Sequence, residues 1–235
     1  MDFRQRPVPD LAERPIDIRA PRVHSNPTSI IVVGAGGHGR ELADIVRAIG
    51  ESTGEVQLVG VCDDGQPDRI VLARSAITFL GDRSALIGRE VDVHLGLGYP
   101  AVRAELDAAL NLRPARPLVH PTATVGAGSD LDVGAVVAQQ AAVTTNVRLG
   151  RHTHINVGAS ISHDCVIGDY VTICPGVTVT GSVTIGDMAF VGAGATILPG
   201  VHIGSSATVG AGAVVIEDVA DGQVVIGIPG RPTTC

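Results

Sequence analysis

Residues 155–190 read INVGAS ISHDCV IGDYVT ICPGVT VTGSVT IGDMAF, a run of unbroken hexapeptides. Each opens on Ile or Val and carries Ala, Cys or Val at its fifth place. Working outward, the same register holds back through Leu149, Val143, Val137, Leu131 and Val125 to Val119. It runs forward through Val191, Ile197, Ile203 and Val209 to Val215. A repeat of six matches neither the 3.6-residue period of a helix nor the alternation of hairpin strands. It is the signature of a parallel β-helix. Each hexapeptide supplies one short strand and one corner, and three of them bring the chain back above its start. The aliphatic residue and its small companion point inward, while Gly and Asn at the corners tolerate positive φ. At about 4.8 Å between strands, residues 119–215 predict roughly five coils.

Composition fits a thin prism. Aromatic residues make up only 2% of the chain and Trp is absent, so nothing bulky has to fit inside. The mean hydropathy is +0.31, yet no apolar run is long enough to span a bilayer. A net charge of −7 with no basic cluster argues against nucleic acid. Cys62, Cys165, Cys174 and Cys235 lack metal-ligand spacing and read as small hydrophobes in a reducing compartment. No signal-peptide pattern opens the chain, so the expected location is the cytoplasm.

Upstream, residues 1–28 are rich in Pro and Arg without periodicity, and are expected to form a flexible arm or an arm docked on a partner subunit. Ile30–Val33 is a continuous apolar run, the pattern of a strand buried on both faces. Gly34-Ala35-Gly36-Gly37-His38-Gly39 follows, then an amphipathic helix over about 40–49. Strand, glycine loop and helix together make an anion site plausible, phosphate above all. A second strand over 56–61 leads to Asp63-Asp64, placed where nucleotides bind in open α/β sheets. Further β/α segments are expected at Ile70-Val71, Thr78–Asp82, a strand over 91–97 and a helix over 100–110. The stretch from Ile30 to the repeat is too short for the two halves that a dinucleotide needs, so NAD is rejected and one nucleotide-sized crevice is expected.

Within the repeat, chemistry should sit where residues exceed what folding requires. His152, His154, Asn156 and then His163-Asp164-Cys165 cluster within one coil. His163 follows the inward Ile161 by two places and so projects outward near a corner. One coil above it lies Gly181, which leaves open space and an accessible N–H beside the imidazole. One coil below lies Thr145. An imidazole with an acidic neighbour suits general-base work near neutral pH. His152 reads as a solvent-facing side chain.

The glycine loop, Cys62-Asp63-Asp64, Leu80-Gly81-Asp82 and Ser162-His163-Asp164-Cys165 followed by Ile-Gly-Asp form a set. With it the chain resembles the sugar acyltransferases that join a half-Rossmann nucleotide-sugar domain to a left-handed β-helix. These include bacillosamine-pathway and perosamine N-acetyltransferases and sialic-acid O-acetyltransferases. The resemblance implies a Rossmann-like nucleotide-sugar domain over 29–112, a stiff linker over 113–118, a left-handed β-helix over 119–220 and a tail over 221–235. It implies a general base at His163, oriented by Asp164, with the Gly181 N–H as oxyanion donor. It places Ala193, Ala211 and Arg231 at acetyl-CoA, and Gly34, Gly36, Gly37, His38, Asp63 and Asp64 at the nucleotide-linked sugar. His154 and Asn156 would contact the substrate across a subunit interface of a homotrimer. Thr172 stands where many relatives have a second His near the thioester, which leaves the identity of the acyl group open.

N-acetylation of an amino-sugar nucleotide is the expected reaction, with O-acetylation of a sugar hydroxyl as the alternative. A nucleotide-sugar-binding scaffold without catalysis stays open. A zinc enzyme on the same prism would place two His five residues apart, but the positions five after His154 and His163 are Ala159 and Gly168. No metal is therefore expected.

Overall fold

The computed structural model describes residues 26–110 and 115–233. The expected arm up to residue 25 and the start of the expected linker fall outside the described residues.

The hexapeptides form a column with three faces. Each two-residue strand pairs in parallel with the strand eighteen residues away, as His154–Ile155 does with Val136–Val137 below and Thr172–Ile173 above. The first face climbs from Leu118–Val119 to Val224–Ile226 and is closed by the antiparallel Arg231–Pro232. The second runs from Thr124–Val125 to Val214–Val215, and the third from Asp130–Leu131 to His202–Ile203. The first face thus steps up at 136, 154, 172, 190, 208 and 224, six coils rather than five. The extra coil is closed by Val224–Ile226, residues expected to belong to a tail. Burial explains the periodicity: Ile155, Ile161, Ile173, Val179, Val191, Ile197 and Val209 are fully sequestered, and Ala159, Cys165, Val171 and Val177 pack between them.

The corners impose a second rule. From Gly128 to Gly212 the fourth residue of every hexapeptide is left-handed, with φ between 49° and 72°. Glycine fills many of these places, but Gln140, Asn146, His152, Asp164, Tyr170, Ser182, Met188 and Ser206 fill the others. Side chains bear a cost of about 1–2 kcal/mol in that conformation, so each of them invites a reason.

The Ile-Gly-Asp element also has a structural cause. Asp169 Oδ1 accepts the Arg151 N–H at 2.8 Å, and Asp187 Oδ1 accepts the Asp169 N–H at 2.8 Å. Each carboxylate lies over a glycine of the coil below. A Cβ on Gly150 would sit 2.4 Å from Asp169 Oδ1, and one on Gly168 would sit 2.3 Å from Asp187 Oδ1.

Ahead of the column lies a small parallel sheet. β1 (Thr28–Val33) is central, with β2 (Val56–Cys62) on one side and β3 (Asp92–Leu95) on the other. Helix α1 (Gly37–Thr53) is longer than expected: it starts inside the glycine loop and stops at Gly54, whose φ is 70°. Ile70-Val71 belongs to the short helix α2 (Arg69–Arg74), capped by the Asp68 carboxylate, rather than to a strand. Phe79 bridges Val61 at the sheet edge. Helix α3 (Pro100–Leu110) has the expected bounds. The sheet does not stand apart from the column. Ile30, Val32, Leu42, Ile45 and Val46 share one core with Leu118, Val136 and Ala138 of the first face.

Candidate active site

His163 follows the second-face strand Ser160–Ile161 and precedes the third-face strand Val166–Ile167. It therefore stands at the corner opposite the first face, with 60% of its side chain exposed. Its Nδ1 lies 2.8 Å from Asp164 Oδ2. An ionised carboxylate only accepts hydrogen bonds, so Nδ1 is the donor in this pair, and in the neutral ring Nε2 is the acceptor nitrogen. Hydrogen bonds from Asn146 and then from His163 hold the Asp164 carboxyl below its ordinary range. Gly181, one coil higher, is not beside vacant space as expected. The imidazole itself lies across it, and a Cβ there would sit 2.5 Å from Cε1 and 2.6 Å from Nε2.

The amides of Gly181, Ala193 and Ala211 donate to no protein acceptor among the described residues. Ala193 and Ala211 are exposed and stacked one coil apart, and the Gly212 N–H bonds the Ala193 carbonyl at 2.8 Å. Free N–H groups repeated up a column suit the amide carbonyls of an extended pantetheine arm. Arg231 is exposed and 3.6 Å from Glu217. Burial pushes the Cys165 thiol up to about 11, so it is an inert wall rather than a nucleophile.

The glycine loop divides into two kinds of glycine. Gly34 has φ 108°, and a Cβ there would meet Gly96 O at 2.7 Å; a Cβ on Gly39 would meet Gly34 O at 1.9 Å. These two allow β1, α1 and β3 to approach one another. Gly36 and Gly37 have nothing within 4 Å of an added Cβ. No side chain caps α1, so its first N–H groups face that open space and suit an anion. Asp63 Oδ2 accepts the Ala35 N–H and Oδ1 the Gly65 N–H, each at 2.8 Å. Asp64 accepts the Arg83 N–H at 3.1 Å and pairs with the Arg83 guanidinium. Both acidic side chains thus brace the loops at the carboxyl end of β2.

His38 turns toward the column, its Nε2 2.8 Å from His154 Nδ1 and its Nδ1 3.3 Å from Glu41. Burial holds it below its usual pKa against the pull of Glu41. His154, at 1% exposure, and Asn156 lie in this junction; the Asn156 amide bonds Ile173 O at 2.7 Å. His152 is also buried, which corrects the solvent-facing reading: it stacks on Tyr170 with ring centroids 5.8 Å apart and lies 3.4 Å from Asp107. Its left-handed backbone and that of Tyr170 are offset by docking α3. Asp107 is gripped by Arg151 at 2.6 and 2.7 Å and by the Tyr170 hydroxyl at 2.6 Å. Arg103 is fully buried and donates to the carbonyls of His152, Leu97, Gly98, Tyr170 and Val171. Thr172 is buried here as well, donating to Gly98 O at 2.8 Å.

Two groups of expected site residues therefore lie apart within one chain. The glycine loop, His38, His154 and Asn156 gather on the first face, whereas His163, Asp164 and Gly181 form the opposite corner. Sequence reasoning missed Arg103, Asp107 and Tyr170. Arg103 and Asp107 sit on α3, and nothing local in the sequence signals that each bonds the column. Among the described residues, no group of three or more His, Cys, Asp or Glu side chains is placed to hold a metal ion.

Comparison with known proteins falls on the same division. Residues 29–109 match the family model of the PglD N-terminal domain. Residues 146–181 and 182–217 match that of the bacterial transferase hexapeptide. The GDP-perosamine N-acetyltransferase of Escherichia coli O157:H7 is 31% identical over 79 residues, a stretch spanning 33% of this chain and 36% of that enzyme. A perosamine N-acetyltransferase from Caulobacter crescentus, solved with CoA and GDP-perosamine, superposes with a TM-score of 0.78 at 27% identity. The match covers 88% of this chain and 97% of that one. The acetyltransferase domain of PglB from Neisseria gonorrhoeae, solved with acetyl coenzyme A, gives 0.76 at 28% identity, covering 88% and 100%.

Proposed function

We propose that this chain, a PglD-type domain carried on a bacterial transferase hexapeptide column, moves the acetyl group of acetyl-CoA onto the amine of a nucleotide-linked amino sugar. The observation that carries the reading is His163, oriented by a carboxylate through Nδ1 and laid across a bare glycine whose amide is unclaimed.

The chemistry follows from that geometry. The sugar amine attacks the thioester carbonyl while Nε2 of His163 takes its proton; Asp164 stabilises the imidazolium that forms. The tetrahedral oxyanion is met by the Gly181 N–H, a donor aimed at charge that develops only as the bond forms. The carbon–sulfur bond then breaks, and the thiolate leaves with the proton returned by the imidazolium. Ala193 and Ala211 amides line the pantetheine groove, and Arg231 stands by for a CoA phosphate.

The nucleotide end is assigned to Gly34, Gly36, Gly37 and His38 on the sheet side, with Asp63 and Asp64 framing the crevice. That crevice and His163 lie on opposite sides of one column, so a substrate held in one chain reaches the base of another. This favours a closed homo-oligomer, read as a trimer; His154 and Asn156, buried between sheet and column, brace the junction instead of contacting substrate across the interface. The relatives solved with GDP-perosamine and acetyl-CoA favour the amine over a hydroxyl acceptor. We place the chain and this reaction in the cytoplasm.

The test is to incubate the pure protein with acetyl-CoA and a panel of nucleotide-linked amino sugars, following thiol release and product mass. Acetylated amino-sugar nucleotide is the expected product. Release of CoA only with sugars that lack an amine would shift the assignment to O-acetylation, and no transfer to any acceptor would leave a binding scaffold.

A further inference from the structure

The corner that carries Asp164 belongs to a vertical series of left-handed positions: Gly128, Asn146, Asp164, Ser182 and Gly200, each one coil above the last. Glycine at both ends satisfies the backbone without a side chain. Asn146 has φ 55°, and a glycine there would do so at less conformational cost. Its side chain is engaged: Nδ2 lies 2.6 Å from Asp164 Oδ1. Because an ionised carboxylate only accepts, the amide must present its N–H₂ to Asp164. The other carboxylate oxygen holds His163 Nδ1 at 2.8 Å. The two oxygens are thus divided between one residue of the coil below and the imidazole beside it. Main-chain bonds hold the same stack, Asp164 N–H to Thr145 O and Ser182 N–H to His163 O.

We infer that Asn146 is a positioning residue for acetyl transfer: it fixes the Asp164 carboxylate from the coil below, and through it the orientation of His163. The inference rests on His163 being the base. Asn146 touches no substrate, and its influence passes through Asp164. An unrestrained aspartate at an exposed corner would rotate into solvent and leave Nδ1 without a fixed partner. The imidazole would then leave the face of Gly181.

Asn146→Gly removes the amide while keeping a residue at ease in this backbone. In the full-length enzyme it should lower kcat roughly tenfold, with KM for both substrates within about twofold and the thermal midpoint unchanged. Asn146→Asp keeps size and backbone tolerance but sets a second carboxylate against Asp164, and should lower kcat further. The decisive comparison repeats Asn146→Gly in an Asp164→Ala background, where the remaining rate should move by less than about twofold. A tenfold loss that persists without Asp164, a change confined to KM, or wild-type turnover in Asn146→Gly would overturn the inference. Should Asn146→Gly lose its fold, Asn146→Asp carries the same comparison. Failure of the underlying reading shows separately, as full turnover in His163→Ala.

Discussion

Gly181 illustrates how one missing methyl group makes room for an imidazole. Its conformation is open to any residue, so the reason for glycine is the imidazole lying across it. In Gly181→Ala the new Cβ would occupy the space of Cε1 and Nε2, and His163 is exposed enough to swing away. The column should keep its melting temperature while kcat falls by about 10²-fold, the cost of misplacing a reacting group by roughly 1 Å. Steady-state kinetics beside a thermal melt checks this; retained turnover would show that His163 works from another rotamer. The pairing of His163 with Asp164 and the place of Gly181 above it were legible in the sequence, because a six-residue register makes position eighteen a spatial neighbour. Asn146 could be read by the same arithmetic, one coil beneath Asp164. Only the chemistry of its corner, a side chain where glycine suffices, singles it out.

At the scale of elements, the column was written in the chain and the docking of α3 was not. A strand that buries one residue in six repeats its requirement until it becomes visible. The grip of Asp107 on Arg151 and Tyr170, and of Arg103 on the main chain of the column, depends on two surfaces meeting once. This junction also gathers imidazoles that must stay neutral. Burial, with the neighbouring His152, lowers His94 to about 3; burial lowers His152 to about 4 and holds His154 well below its usual value. Both His94 nitrogens and His154 Nε2 have no partner among the described residues. The unfolded chain takes up protons near pH 6.5, whereas folded His94 and His152 resist them until pH falls to about 3 and about 4. Stability is therefore complete above about pH 6.5 and is lost on acidification through that window, at up to about 1.4 kcal/mol per pH unit for each histidine. Thermal melts between pH 7 and 4 should show the midpoint falling, and His94→Leu should flatten the slope. An unchanged slope in that variant would place the acid sensitivity elsewhere.

The whole molecule poses the question of where its two halves meet. Glycine loop and His163 corner lie on opposite sides of one chain, a relation that follows from nine residues being half a coil and α1 packing on the first face. Reconstitution can show whether neighbouring copies complete the site. His163→Ala and Gly36→Glu, which sets a carboxylate in the open anion loop, should each be inactive alone. Co-expressed in equal amounts, they should recover about one quarter of wild-type activity, as random assembly of a cyclic oligomer pairs an intact corner with an intact loop. No recovery in mixed assemblies would mean that each chain works alone.

The account stands on the imidazole at that corner. Its most direct test is the turnover of His163→Ala with acetyl-CoA and the accepted amino-sugar nucleotide, alongside binding of both ligands. The prediction is a fall in kcat of about 10²–10⁴ with the affinity for CoA and nucleotide kept. Turnover within a few-fold of wild type would contradict it.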